Sequence, residues 1–282
     1  MYSIGVSTPH SIDEEMFKKY SEAGITHMEV SVDKWNSEKL DFDKLLEWSK
    51  KYNVQLYSFH LPFWPFNEID ISDEKLASAS IEYLTEYIKK GSKIGIDKYI
   101  IHPSGEPINE CDRQKRMEIA KQSLYTLAET AKKYGSTIFV ENLPRTCLGR
   151  DSRDIIELLS AHPDLVACFD TNHLLEEDPI EFINKVGDKI KTLHVSDYDF
   201  KNERHWLPGE GMLDWQSILK ALEKIGYNNV WLYEIDLKAP NTIIRPRDLE
   251  YGDFYKNAKE LFENKPLTII STPVENLKKW NE

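Results

Sequence analysis

Eight short runs rich in Val, Ile, Tyr and Phe alternate with eight longer amphipathic segments along this chain, and that order leaves few folds open. The β-like runs are 2–7, 26–32, 54–61, 98–102, 137–141, 165–170, 190–196 and 230–235. Their β-branched and aromatic residues suit a pleated, buried surface. Between them, 12–23, 42–51, 73–94, 114–134, 152–160, 179–186, 215–225 and 249–262 repeat apolar residues at three- and four-residue steps, the mark of helices buried on one face. Asp13, Asp41, Asp73, Asp151 and Asp214 stand where an N-cap or first-turn acid helps a helix begin. Strict alternation implies parallel strands, because each crossover must return over the sheet. Eight such units of about 32 residues predict a single-domain (β/α)8 TIM barrel. The competing fold is a doubly wound open sheet, but no glycine-rich phosphate loop follows any strand. The barrel is expected over residues 1–265, with 266–282 an extension packed outside it.

Composition narrows the function classes. The chain has 282 residues, 48 acidic against 36 basic, for a net charge of −12. Such a surface repels a phosphate backbone, so nucleic acid is a disfavoured partner. Mean hydropathy is −0.53, and no apolar run approaches the ~18 residues of a membrane span. The first residues carry no basic stretch ahead of an apolar one, which predicts no secretory signal. Cys111, Cys147 and Cys168 have neither metal-knuckle nor disulfide-framework spacing. A reduced cytoplasmic protein is expected, and a homo-oligomer is left open.

A barrel carries its chemistry at the C-terminal strand ends. Six of the eight histidines fall there: His10, His60, His102, His173, His194 and His205. Residues two apart share a strand face, so Phe139 pairs with Glu141, Cys168 with Asp170, Thr192 with His194, and Leu232 with Glu234. If those faces point inward, Glu141, Asp170, His194 and Glu234 meet at the mouth from four consecutive strands. Taken singly, each is equally well read as a polar group ending its strand. Together, three carboxylates in one low-dielectric mouth repel one another, and a divalent cation removes that repulsion. Three oxygens and one imidazole suit Mn2+, Zn2+, Mg2+ or Co2+. His60 and His102 end strands three and four, where each could equally be a hydrogen-bonded core histidine. Phe59, Phe63, Trp64, Phe66 and Trp206 could stack on a sugar ring or simply pack. The loop 202–211 (Asn-Glu-Arg-His-Trp-Leu-Pro-Gly-Glu-Gly) gathers Glu203, Arg204, His205 and Glu210 around a Pro-Gly turn. Arg245 and Arg247 could meet a phosphate or lie on the surface.

Val140-Glu141-Asn142, Phe169-Asp170-Thr171-Asn172-His173, His194-Val195-Ser196-Asp197, Glu203 to Gly211 with Asp214-Trp215, and Tyr233-Glu234 together resemble the xylose-isomerase-like TIM barrels. That superfamily includes ketose 3-epimerases, hydroxypyruvate isomerase, inosose dehydratase and endonuclease IV. The resemblance implies a metal held by Glu141, Asp170, His194 and Glu234. It also implies Glu141 and Glu234 as the acid–base pair. Substrate contacts would come from His60, His102, His173, Arg204, His205 and Trp64. The expected activity is a sugar or sugar-derivative isomerase or epimerase that removes a proton α to a carbonyl and passes through an enediolate. Two alternatives stand beside it: a dehydratase of a cyclic polyol, and a zinc-dependent endonuclease acting at abasic DNA sites. The endonuclease pattern places nine ligands at His60, His102, Glu141, Asp170, His173, His194, Glu203, His205 and Glu234, with Glu203 where that family has Asp. Asn142 departs from the ketose 3-epimerase pattern, which has Pro after the strand-five Glu.

Overall fold

The computed structural model describes residues 2–8, 11–32, 34–63 and 68–281. The alternation holds. In chain order the elements are β1 (Ile4–Ser7), α1 (Glu14–Ala23), β2 (His27–Ser31), α2 (Lys34–Ser37), α3 (Phe42–Tyr52), β3 (Gln55–His60), α4 (Ala77–Lys93), β4 (Lys98–Ile101), α5 (Arg113–Lys133) and β5 (Thr137–Glu141). They continue with α6 (Ser152–Leu159), β6 (Val166–Asp170), α7 (Pro179–Val186), β7 (Ile190–His194), α8 (Trp215–Lys224), β8 (Trp231–Tyr233), β9 (Ile243–Ile244), α9 (Tyr251–Phe262) and β10 (Thr272–Pro273). β1 to β8 form one parallel sheet in which consecutive strands pair and β8 returns to β1. The seam between β7 and β8 closes through Val195 N–H donating to the Leu232 carbonyl at 2.8 Å, and Glu234 N–H to the Val195 carbonyl at 3.2 Å. The fold is a (β/α)8 TIM barrel.

Two-residue alternation divides each strand between two compartments. Outward residues such as Val30, Phe59, Val140, Phe169, Leu193 and Tyr233 join the apolar annulus between strands and helices. Phe169 stacks on Phe182 of α7 with centroids 5.0 Å apart. Phe59, offered above as a stacking residue, is fully buried there beside Phe42 and Tyr87. Among the described residues the interior holds two small apolar clusters, one of Ile100, Phe139 and Cys168 and one of Tyr57, Val230 and Leu232. Above them the interior turns polar.

Asp13, Asp41, Asp151 and Asp214 cap α1, α3, α6 and α8 with their side chains. Asp73 instead accepts from Lys75 and Leu76 N–H in a turn ahead of α4. Three elements lacked any sequence signal: the single-turn α2, and the strands β9 and β10, which pair antiparallel as a ribbon. That ribbon brings the C-terminal segment over the loops after β7 and β8. Trp280 N–H donates to the Lys201 carbonyl at 3.0 Å. No described helix is long and apolar enough to cross a membrane.

Candidate active site

The loops that frame the mouth are fixed by a few buried side chains. Asp197 ends the His-Val-Ser-Asp run, and its carboxylate accepts from the backbone of Tyr198, Gly209 and Leu213 and from the Trp215 indole. A Cβ on Gly211 would lie 2.3 Å from Asp197 Oδ1, so the Pro-Gly-Glu-Gly turn can close only with glycine there. Glu210 accepts from Leu207 N–H and pairs with Arg245, both side chains fully buried. Arg245 is therefore neither a surface residue nor a phosphate ligand; it braces the turn. Arg247 lies at the surface and pairs with Asp253. Asn142 grips the end of β6, accepting from Asp170 N–H at 2.7 Å and donating to its carbonyl at 2.9 Å. Asn172 does the same for the next loop, accepting from Arg204 and His205 N–H.

These supports bring together one ligand atom each from Glu141, Asp170, His194 and Glu234, all within 4.8 Å of one another. Glu141 is the hub. Its Oε1 lies 3.0 Å from His194 Nδ1, and its Oε2 lies 3.0 Å from His60 Nε2 and 3.3 Å from His102 Nε2. His194 Nδ1 is also 3.2 Å from Glu234 Oε2 and 3.9 Å from Asp170 Oδ2. Asp170 Oδ1 accepts from Asn172 N–H, but its buried Oδ2 has no hydrogen-bond partner among the described residues.

The electrostatics follow from burial and crowding. Burial pushes the Asp170 carboxyl well above its ordinary range, and the Glu234 and Glu141 carboxylates add to that against the pull of His173. Burial also works to raise Glu141, but His194 and His102 overcome it and hold Glu141 well below the usual carboxylate value. Glu234 is lowered in the same way by His194 against its own burial. His194 rises well above an ordinary imidazole despite burial, because Cys168, Glu234, Glu29 and Glu141 surround it. A buried carboxylate oxygen with no hydrogen-bond partner among the described residues, beside two further carboxylates and an imidazole, fits a divalent ion of the Mn2+, Zn2+, Mg2+ or Co2+ type.

A second set lies beside the first: His173, Glu203 and His205 also offer ligand atoms within 4.8 Å of one another. His173 Nδ1 donates to the Asn142 carbonyl at 2.9 Å, which turns Nε2 towards Glu203 Oε2, 3.2 Å away. Burial would lower this imidazole, but Asp170 and Glu203 raise it to about 10. His205 sits at φ 51°, in the left-handed region, with Nδ1 on the Glu234 carbonyl. That backbone is strained for a non-glycine residue, and Asn172 and Glu234 hold it there.

A cavity of about 500 Å³ opens over both sets, lined by His102, Glu141, His173, Glu203, His205 and Glu234, with Phe63 and Arg145. Trp64, His10 and Phe66 lie outside the described residues. His60 is fully buried beneath the cluster. Trp206 is buried away from the cavity, its indole donating to Thr242. Arg204 points elsewhere: its guanidinium donates to Asp199 and to the Lys278 carbonyl. Arg145, which drew no attention in the sequence, takes the place at the mouth and pairs with Glu106 and Glu203. Nothing in its local pattern marks it. Glu29 was also missed: it lies mid-strand in β2, fully buried, 3.0 Å from His194 Nε2. An acid between Met28 and Val30 was the available signal.

The sequence pattern described as Xylose isomerase-like TIM barrel matches residues 17–251. The chain belongs to that family. Among its relatives, the uncharacterized protein MJ1614 of Methanocaldococcus jannaschii is 24% identical over 245 residues, 84% of this chain and 93% of that protein. Fructoselysine 3-epimerase of Escherichia coli O157:H7 is 24% identical over 120 residues, 40% of this chain and 44% of the enzyme. A probable endonuclease 4 of Finegoldia magna is 25% identical over 247 residues, 80% of this chain and 84% of that protein. The crystal structure of a D-tagatose 3-epimerase-like protein matches 94% of this chain and 98% of its own with a TM-score of 0.79. At 21% identity that likeness establishes the shared barrel.

Proposed function

We propose that this chain is a divalent-metal-dependent isomerase or epimerase of a sugar or sugar derivative. The observation that carries the reading is the convergence of Glu141, Asp170, His194 and Glu234, with Asp170 Oδ2 buried and without a hydrogen bond among the described residues. Those four would hold the ion, which when bound polarises the oxygens of the substrate. The chain supplies the rest. Glu141 and Glu234 both line the cavity, and both are held ionised against their burial. Either carboxylate can therefore accept a proton from the carbon α to a carbonyl and return that same proton to the neighbouring carbon, as isomerisation needs; return to the opposite face, as epimerisation needs, requires the other carboxylate to have taken a proton from solvent first. His102, His173 and His205 line the same cavity with donors for hydroxyl groups. The half-exposed Phe63, its ring 4.0 Å from that of His102, gives an apolar wall. The fructoselysine 3-epimerase relative supports this class of substrate. Three cysteines without disulfides fit a cytoplasmic site of action.

The test is metal analysis of the purified protein, followed by a screen of ketoses, aldoses and cyclic polyols with added Mn2+. Turnover that chelation abolishes is expected. Loss of water from a polyol would redirect the reading to a dehydratase, and no metal-dependent turnover of any of them overturns it. A second reading has its own observation. His173, Glu203 and His205 add a further candidate metal set, and the endonuclease 4 relative spans most of the chain. It predicts about three zinc ions per chain and nicking of duplex DNA at an abasic site. The net charge of −12 weighs against it.

A further inference from the structure

We propose that Glu29 is a positioning residue that sets the orientation and protonation pattern of His194 so that Nδ1 is the atom presented to the ion. The inference rests on the metal reading above. Glu29 lies mid-way along β2 and is fully buried. Its neighbours Met28 and Val30 pack in the annulus, so Glu29 faces the barrel interior, which small barrels ordinarily fill with branched apolar side chains. Ser7 of β1 donates to its Oε1 at 3.0 Å, and Ser58 of β3 to its Oε2 at 2.7 Å. The nearest ionisable group is His194 of β7, whose Nε2 reaches across the barrel to 3.0 Å from Oε1. The approach is oblique, a charge contact more than a straight hydrogen bond. Two hydroxyl donors only partly offset the cost of burying a carboxylate.

A carboxylate can only accept hydrogen bonds. Nδ1 faces Glu141 and Glu234 in the same way, 3.0 and 3.2 Å away, so once an ion takes the Nδ1 lone pair a neutral His194 carries its hydrogen on Nε2, where Glu29 lies 3.0 Å away to meet it. Such a partner behind a ligating imidazole fixes its tautomer and raises its basicity, and its loss typically weakens metal binding about 10–100-fold.

The experiment compares Glu29→Gln and Glu29→Leu with the wild type by Zn2+ affinity in chelator competition, by melting of the EDTA-treated protein, and by the 15N resonances of His194 in the Zn2+-loaded state. The expected result is affinity about 10–100-fold lower, most for Leu, with a much smaller change in the metal-free melting temperature, because His194 keeps Glu141 and Glu234 as partners. The wild-type His194 should show a protonated Nε2 whose proton moves upfield in Glu29→Gln. Should the Leu variant not fold, Glu29→Gln and Ser58→Ala carry the test. Wild-type affinity in the variants, or a loss matched by an equal fall in metal-free stability, overturns the role of Glu29 alone. A wild type that binds no divalent ion overturns the metal reading and this inference with it.

Discussion

Phe169 and Asp170 stand side by side at the end of β6, and the strand sends them into opposite environments. Phe169 enters the annulus, fully buried against Phe182 of α7. Asp170 enters the mouth, equally buried, with one carboxylate oxygen that has no hydrogen bond among the described residues. The same split recurs at Val140 and Glu141, Leu193 and His194, and Tyr233 and Glu234. Burial alone says nothing about role here. In the annulus a buried side chain removes apolar surface from water and stabilises the fold. In the mouth a buried ionisable side chain gives up its hydration, a cost that an opposite charge offsets at Glu141 and that stays unmet at Asp170.

The largest expected effect separates these two accounts. Glu234→Gln keeps the shape of the side chain and removes its charge. Activity on whichever sugar the chain accepts should fall at least about 1,000-fold, since both a ligand and an acid–base group are lost. The EDTA-treated variant should melt within a few degrees of the wild type, because a repelling carboxylate has gone while His194 loses one partner. Steady-state kinetics and thermal melting check this. Near-normal activity would remove Glu234 from the mechanism. A melting temperature lowered by 10 °C or more would move it into the structural class with Phe169.

The converse substitution is Phe169→Ala. Truncating a fully buried phenylalanine costs about 3–5 kcal/mol, or roughly 10 °C in melting temperature for a chain of this size. Metal affinity per folded molecule should hold, since the ring touches the helix side only. Chemical denaturation with parallel metal titration tests it. A large loss of affinity at undiminished stability would show that the two compartments are coupled through β6.

How far the site was legible follows from the same geometry. Two-residue alternation is exact along a strand, so Glu141, Asp170, His194 and Glu234 could be placed on one face and at one end from the sequence, and the structure gathers them. Loop side chains obey no such period. Arg204 looked suited to the substrate, yet Asp199 and the Lys278 carbonyl hold it aside, while Arg145 from another loop stands at the cavity. Both outcomes depend on where the C-terminal segment and the β4 loop come to rest, which no local pattern encodes. Glu29 lies mid-strand, where the strand-end rule of a barrel does not point. The annulus was the easier half: helix stripes, aspartate caps and β-branched runs each signal themselves within a few residues. β9 and β10, two residues long, signal nothing.

The smallest expected effect, and the one with a pH signature, is removal of the ion. An ion at a hundred times its dissociation constant stabilises the fold by about 2.7 kcal/mol. His194 lies well above an ordinary imidazole, His173 is raised to about 10, and Asp170 is raised as well. In EDTA the charged imidazoles contribute stability that is complete below about pH 6.5, their unfolded value, and is lost as pH rises through the raised folded values. Asp170 acts in the same direction, because the folded chain retains a proton that the unfolded chain has released. Glu141 and Glu234 are lowered, so their contribution is present throughout this window and fades only in acid. The melting temperature in EDTA should therefore fall from about pH 6.5 towards pH 10. The gain from added Mn2+ should grow over the same interval, because the ion must displace those protons to bind. Phe169→Ala, with no titrating group, should lower both curves by the same amount at every pH. A gain from Mn2+ that shrinks or stays flat as pH rises would mean that the ion binds away from His194, and the contrast between annulus and mouth would then rest on packing alone.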